Sequence, residues 1–215
     1  MSALTEHLPE IAIALALAWG SGLRAYAVLF AVGVAGSQGW VELPEHLALL
    51  EHPLVLAASG FMTCVEFFAD KLPWLDSVWD AANSFIRIPA GAALAAAVFG
   101  DAGAAVALTA AILGGTVAAG AHFTKAGTRA AVNTLPEPFT NWGLSLAEDA
   151  AVPLALWLAV VHPGLLLVLV VAFFVAAAFA ARWLWGVVRR LRSPSRVPSP
   201  TNQTNGFSRS PPAGP

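Results

Sequence analysis

The residues of this sequence with the clearest chemistry are acidic side chains inside apolar segments. Glu66 and Asp70 stand four residues apart, and Asp76 and Asp80 repeat this spacing a short distance further on. Residues four apart share one face of a helix, where two carboxylates repel unless a proton, a cation or an arginine lies between them. Pairs of this kind suit proton exchange or the binding of a hard cation by oxygen ligands.

Basic residues occur in the same segments in almost equal number. Placing one charge at the centre of a bilayer costs at least ~2.5–3.5 kcal/mol. Unpaired charges in this number would exceed the stability of a typical domain, so they must pair, face a water-filled cavity or lie at the interface. Arg24 and Arg129 are the expected partners of the first acidic pair. The predicted ion pathway is Glu66, Asp70, Asp76, Asp80, Glu148 and Asp149, and the predicted counter-charges are Arg24, Lys71, Arg87, Lys125 and Arg129.

The overall composition predicts an integral membrane protein. The chain has 215 residues, of which 58% are apolar and only 11% are charged, whereas about 25% are charged in an average soluble domain. The mean hydropathy is +0.70, and a soluble domain would need more charge to cover its surface. The net charge of −2 gives no electrostatic case for nucleic acid, and the single cysteine, Cys64, excludes an intrachain disulfide.

Hydropathy predicts an all-α polytopic membrane bundle of about six spans, since one span needs ~20 apolar residues. The first apolar stretch, 11–36, carries Gly20, Gly22 and Arg24 at membrane depth, which predicts a broken or kinked helix. Residues 72–87 are aromatic and charged and are predicted to form an interfacial or re-entrant helix. The other spans are predicted at 53–71, 88–100, 104–122, 143–161 and 165–185.

The chain divides into two predicted parts. Residues 1–192 form the membrane domain, and residues 193–215, rich in Pro and Ser, form a disordered cytoplasmic tail. Arginines after the sixth span place the C-terminus in the cytoplasm, and six spans place the N-terminus there as well. The acidic loop 37–52 then lies outside. Small residues on the third and fourth spans allow a homodimer.

Two short segments resemble each other, which favours an internal repeat. Segments 21–26 and 126–131 each contain Gly-x-Arg-Ala, and each is followed by a span with paired acids. Three spans in each half would give two inverted three-helix repeats, a recurring plan of transporters with interrupted helices. Chance is the alternative, because four common letters match easily.

Two further features are interpreted with an alternative beside each. His122 is expected to be an interfacial side chain, with a proton carrier as the alternative. A double-proline segment before the fifth span is predicted to be a gate or a re-entrant lining, with an ordinary connector as the alternative. Its residues are Pro136, Glu137, Pro138 and Asn141.

Several motifs together resemble a bacterial membrane family that is catalogued only as a domain of unknown function. They are GLRAY at 22–26, EFFADK at 66–71, KAGTR at 125–129 and PEPFTNW at 136–142. The resemblance covers residues 10–185 and implies a multi-span protein of the bacterial inner membrane, without an activity. The segment 66–71 is also similar to cation/proton exchangers with a Glu-x-Gly-Asp-Lys motif in each inverted half. Here the acids are one residue further apart and the glycine is absent.

The predicted function is a small transporter or channel for a small ion with proton coupling, acting through the charged residues. Its partners are the lipid bilayer and the ion or solute, and no cofactor is expected. One alternative is a scaffold or assembly protein in which the charges form a static network that fixes helix register. Another is a membrane enzyme acting on a lipid or polyprenyl substrate. The sequence has no P-loop, Gly-x-Ser-x-Gly or His-Glu-x-x-His motif, which argues against an enzyme.

Overall fold

The structure is a computed structural model that describes residues 7–134 and 139–192. All regular elements in these ranges are helical, which confirms the predicted all-α bundle. Pro136, Glu137 and Pro138 of the predicted gate, and the predicted tail 193–215, lie outside the described residues. The helices are α1 (Leu8–Ser37), α2 (Pro53–Ala69), α3 (Pro73–Val98), α4 (Ala104–Val132), α5 (Phe139–Val161) and α6 (Pro163–Arg192), with short 3₁₀ helices at Glu45–Glu51 and Gly100–Ala102.

The helices have the length and apolarity of membrane spans. Five of them qualify among the described residues, and a sixth crossing results if Glu45–Glu51 and α2, which meet at 68°, form one bent span. Large apolar side chains such as Phe85 and Phe179 are exposed on the outside of their helices. Such surfaces suit contact with lipid. The predicted polytopic membrane bundle agrees with this architecture.

Helix α1 turns back on itself at Arg24, which has φ −149° and ψ 79°, outside the helical region. Residues eight apart in a straight helix are separated by about 12 Å along its axis. A Cβ atom on Gly20 would nevertheless lie 2.9 Å from Cγ2 of Val28. Residues 8–23 and 25–37 are therefore the two arms of a helical hairpin, called the α1 hairpin, with Arg24 at its tip.

Both arms of the α1 hairpin lead to the same end of the bundle. Ala14, on the first arm, packs in one apolar cluster with Phe99, at the end of α3. A Cβ on Gly36, on the second arm, would lie 2.6 Å from Leu43. Gly100 in turn contacts His46. This acidic end has no Lys or Arg among its described residues, and its acids are Glu10, Glu42, Glu45, Glu51 and Asp101.

The turn at Arg24 changes one sequence-based expectation. Hydropathy predicts that the first apolar stretch crosses the membrane and separates the N-terminal residues from the loop 37–52. In the structure, His7 and Glu42 line one cavity at the acidic end. The physical reason is that the helix stops being helical at Arg24, so that the second arm reverses the direction of the first. Hydropathy measures the length of an apolar segment and not its direction.

Two predicted helix boundaries are also replaced by continuous helices. Helix α3 runs from Pro73 to Val98 through Pro89, so that the interfacial segment 72–87 and the short span 88–100 are one element. Helix α4 likewise continues to Val132, past the predicted end of its span near His122. The polar faces of both helices are buried against other helices, which removes the reason to leave the helical conformation at the interface.

Small residues allow α1 and α4 to approach closely, and this packing gives a first prediction. A Cβ on Gly22 would collide with the carbonyl oxygen of Ala118 and lie 2.8 Å from Cβ of Ala121. Overpacking of this kind costs about 1–3 kcal/mol. We therefore expect Gly22→Ala to lower the thermal denaturation midpoint of the purified protein in detergent. A Cβ on Gly127 of α4 would meet nothing within 4 Å.

Gly127→Ala is accordingly the matched control. It should leave the midpoint unchanged or raise it, since alanine is the better helix former by about 1 kcal/mol. Equal midpoints for the two variants would contradict the close packing of α1 against α4 at Gly22.

Candidate functional site

A buried charged cluster surrounds the tip of the α1 hairpin, and it contains all eleven charged residues of the predicted pathway and counter-charges. Lys71 and Asp149 form its edge, with side chains that are 24% and 26% exposed. The four other basic residues are at most 2% exposed, and the five other acids are at most 8% exposed. The buried members are Arg24, Arg87, Lys125, Arg129, Glu66, Asp70, Asp76, Asp80 and Glu148.

Asp70 is one centre of this cluster. It follows the last residue of α2, and its Oδ2 lies 2.8 Å from Nη2 of Arg24, 3.1 Å from Nζ of Lys125 and 3.7 Å from Nη2 of Arg129. The backbone carbonyl of Asp70 also accepts a hydrogen bond of 3.1 Å from Nη1 of Arg129. The partial negative charge at the C-terminus of α2 thus adds to the attraction for the arginine.

Glu148 of α5 is a second centre and contacts the same three basic groups. Its Oε2 lies 3.0 Å from Nη2 of Arg129, 3.3 Å from Nζ of Lys125 and 3.9 Å from Nη2 of Arg24. Arg24 also contacts Asp149, with 3.1 Å between Nε and Oδ1. The basic groups therefore form a layer between carboxylates from α2 and α5, which ties both helices to the hairpin tip.

Arg87 of α3 forms the neighbouring part of the cluster. Its Nη2 and Nη1 each lie 2.5 Å from a carboxylate oxygen, the first of Glu66 and the second of Asp80. Lys125 connects the two parts, since its Nζ is 3.5 Å from Oδ1 of Asp80. The predicted pairing of Arg24 and Arg129 is therefore found for Asp70 but not for Glu66. One helical turn separates the two acids, which brings Glu66 level with Arg87 instead.

Asp76 has no hydrogen-bond partner for either carboxylate oxygen within the described part of the chain. Its side chain is fully buried, and its nearest ion-pair contact is Nη1 of Arg129 at 3.7 Å. A buried carboxylate with so little compensation is costly in its ionised form. One oxygen atom from each of Asp70, Asp76 and Asp80 lies within 4.8 Å of the others. Oxygen atoms at this separation could hold a small cation or share a proton.

Asn141 is the one residue of the predicted gate that the structure describes. It is buried, its side-chain oxygen accepts a hydrogen bond of 2.7 Å from Nη1 of Arg129, and its amide donates to the carbonyl of Asp70 at 3.4 Å. Next to it, Nε1 of Trp142 donates to the carbonyl of Lys71 at 3.1 Å. The start of α5 thus holds the connection between α2 and α3 in place beside the cluster.

Two polar residues outside the predicted set also belong to the site. His122 is buried rather than interfacial, with Nε2 2.7 Å from Oγ of Ser84 and Nδ1 3.5 Å from Nη1 of Arg87. Ser145 accepts a hydrogen bond of 3.0 Å from Nη2 of Arg24 through its hydroxyl oxygen. The sequence does contain a signal for His122, because it shares one face of α4 with the residues three and seven positions later, Lys125 and Arg129.

The exposed edge of the cluster lies away from the acidic end. Helix α2 leads from the acidic end to Asp70, and its 17 residues cover roughly 25 Å. Just beyond its end, Nζ of Lys71 lies 4.0 Å from Oδ2 of Asp149 and 3.0 Å from the ring centre of Phe67. Partial burial lowers the pKa of Lys71, while the carboxylate of Asp149 acts in the opposite direction. This pair is the most exposed part of the cluster among the described residues.

Helices with exposed apolar surfaces and a buried, ion-paired interior define a polytopic membrane protein. Residues 11–183 match the family described as Domain of unknown function (DUF4126), and the chain belongs to this family. The resemblance found in the sequence to a family of unknown function is thereby confirmed. No curated protein and no solved structure matches the chain.

Proposed function

We propose that this protein is a small membrane transporter that moves a small ion with proton coupling through the charged cluster. The observation that carries the proposal is the charge count of the buried residues. Among the described residues, the cluster buries five carboxylates against four basic groups. The partly exposed Lys71 and Asp149 add one charge of each sign. One positive charge is therefore missing from the interior, and a proton or a small cation supplies it.

The place of the cluster at an interrupted helix supports the same proposal. Transporters bind their ions near the middle of the membrane, at helices that break and leave backbone groups available. Arg24 stands at such a break and contacts carboxylates of α2 and α5. Both arms of the α1 hairpin lead to the acidic end, so that the break lies inside the bundle beside these carboxylates.

We propose that the acidic end faces the outside and that the Lys71 edge faces the cytoplasm of a bacterial inner membrane. Basic residues are enriched on the cytoplasmic side of membrane proteins. The five basic residues of the membrane domain before α6 all belong to the cluster, whereas the acidic end has none among its described residues. In this orientation Leu8, at the start of the first arm, lies on the outer side, opposite to the cytoplasmic N-terminus that six spans would give.

A scaffold with a static ion-pair network is the second candidate. It is favoured by Arg87, whose two close carboxylate contacts resemble a structural clamp between α2 and α3. Buried ion pairs of this kind also set helix register in proteins that bind no ion. The excess carboxylate distinguishes the two candidates, because a purely structural network gains nothing from a buried charge without a partner.

Ion flux in proteoliposomes tests the proposed function. We expect the purified protein to carry a small cation when a pH gradient is applied. Glu66→Gln should reduce this flux at least about tenfold, which is the effect expected for the loss of a charged hydrogen bond. Flux is measured with a pH-sensitive dye inside the vesicles, for a panel of alkali cations and for chloride. Glu45→Gln, at an exposed acid of the remote acidic end, is the matched control and should transport normally.

Absence of flux for every ion with folded, monodisperse wild-type protein would contradict a transport function and favour the scaffold. Equal flux of the Glu66→Gln variant and the wild type would place the pathway outside the cluster.

A further inference from the structure

A second site is present at the acidic end of the bundle. A cavity of about 1230 Å³ lies between the two arms of the α1 hairpin, the loop that follows it and the ends of α3 and α5. None of the eleven residues of the charged cluster lines it. Its wall is mostly apolar, with Leu17 from the first arm and Val32 from the second. Other apolar residues of the wall are Leu47, Val98, Leu156 and Val160.

Acids outnumber basic groups on the lining of this cavity. His7 also lines it, with Nδ1 2.8 Å from Oε2 of Glu10, and Nε2 of His46 lies 3.4 Å from Oδ1 of Asp101. Glu10, Glu42 and Asp101 are exposed acids on its lining, and no Lys or Arg occurs among the lining residues. Two indole rings, those of Trp40 and Trp157, also line it and are exposed. Carboxylates together with aromatic faces are the groups that recognise quaternary ammonium ions.

We propose that this cavity binds a lipophilic cation, with its alkyl chain between the arms of the α1 hairpin and its ammonium group among the carboxylates and indoles. The volume is larger than that of most small-molecule sites, which suits a long chain. A phospholipid fits less well, because its phosphate would meet three acids and no Lys or Arg on the lining. The site is independent of ion transport through the charged cluster, so that binding alone tests it.

The experiment uses the full chain in nanodiscs of phosphatidylcholine, with empty nanodiscs as the background. Dodecyltrimethylammonium, dodecyl sulfate and dodecyl maltoside are titrated by calorimetry below their micellar concentrations. We expect saturable binding of the cation at one site and no comparable binding of the sulfate. Replacing the three acids together (Glu10→Gln, Glu42→Gln, Asp101→Asn) should weaken binding of the cation about tenfold, since exposed charges contribute modestly one by one.

Two further variants make the outcome specific. Glu45→Gln removes an exposed acid of the same end that does not line the cavity, and it should bind the cation as the wild type does. Ala31→Phe narrows the cavity from the second arm and should weaken cation binding with the acids intact. Equal binding of the cation to the wild type and the triple variant would overturn the proposal. Equally tight binding of dodecyl sulfate would also overturn it.

Discussion

Replacing Arg87 with methionine is expected to destabilise the protein by about 3–5 kcal/mol, the usual cost of removing one partner of a buried ion pair. The guanidinium is completely buried and lies 2.5 Å from a carboxylate oxygen of both Glu66 and Asp80. Without it, the two carboxylates remain buried and lose their closest positive charge. The measurement is the thermal denaturation midpoint of the purified protein in detergent, together with the yield of monodisperse material.

A compensated variant separates loss of charge from loss of packing. Arg87→Met combined with Glu66→Gln and Asp80→Asn removes both stranded charges and should regain most of the stability. Arg182→Met, at an exposed arginine of α6, is the matched control and should change the midpoint little. If Arg87→Met alone denatures at the temperature of the wild type, the ion pairs at Arg87 do not hold α2 and α3 together.

The Asp76→Asn variant is expected to have the opposite profile, with a large loss of function and no loss of stability. Neither oxygen of Asp76 accepts a hydrogen bond from the described residues, so that a neutral amide of the same shape loses no such bond. An amide cannot take up a proton in exchange for an ion, and proton-driven flux should fall at least about tenfold, the equivalent of a charged interaction. Flux and denaturation are measured on the same preparation.

Asp80→Asn is the comparison for this variant. Asp80 is bonded to Arg87, and its neutralisation should lower stability, unlike that of Asp76. Wild-type flux with unchanged pH dependence in Asp76→Asn would show that the transported proton is carried elsewhere in the cluster.

The members of the charged cluster are predictable from the sequence because charged residues are rare in apolar segments and costly there. The spacing of Glu66 with Asp70, and of Asp76 with Asp80, is sufficient to place each pair on one helix face. Which base meets which acid is not predictable in the same way. Glu66 pairs with Arg87 because of the relative positions of α2 and α3 along the bundle axis, and packing between the helices sets these positions.

The sequence predicts the interruption of α1 but not the reversal of its direction. Gly20, Gly22 and Arg24 signal an interruption, and the structure has it at Arg24. The angle between the arms depends on contacts made far along the chain, such as the hydrogen bond of 3.0 Å from Ser21 to the carbonyl of Arg87. A helix that crosses the membrane and two arms that return to the same side can have the same apolar length.

The α1 hairpin also constrains the order in which the helices assemble. In the described chain, the partners of the Arg24 side chain are Asp70, Ser145, Glu148 and Asp149, and all of them are synthesised after it. Exposure of this arginine to hydrocarbon in a nascent chain would cost at least ~2.5 kcal/mol until those partners are synthesised. Arg24 can therefore reach its native contacts only after α5 has been synthesised, so that the tip of the α1 hairpin is completed later than the helix that carries it.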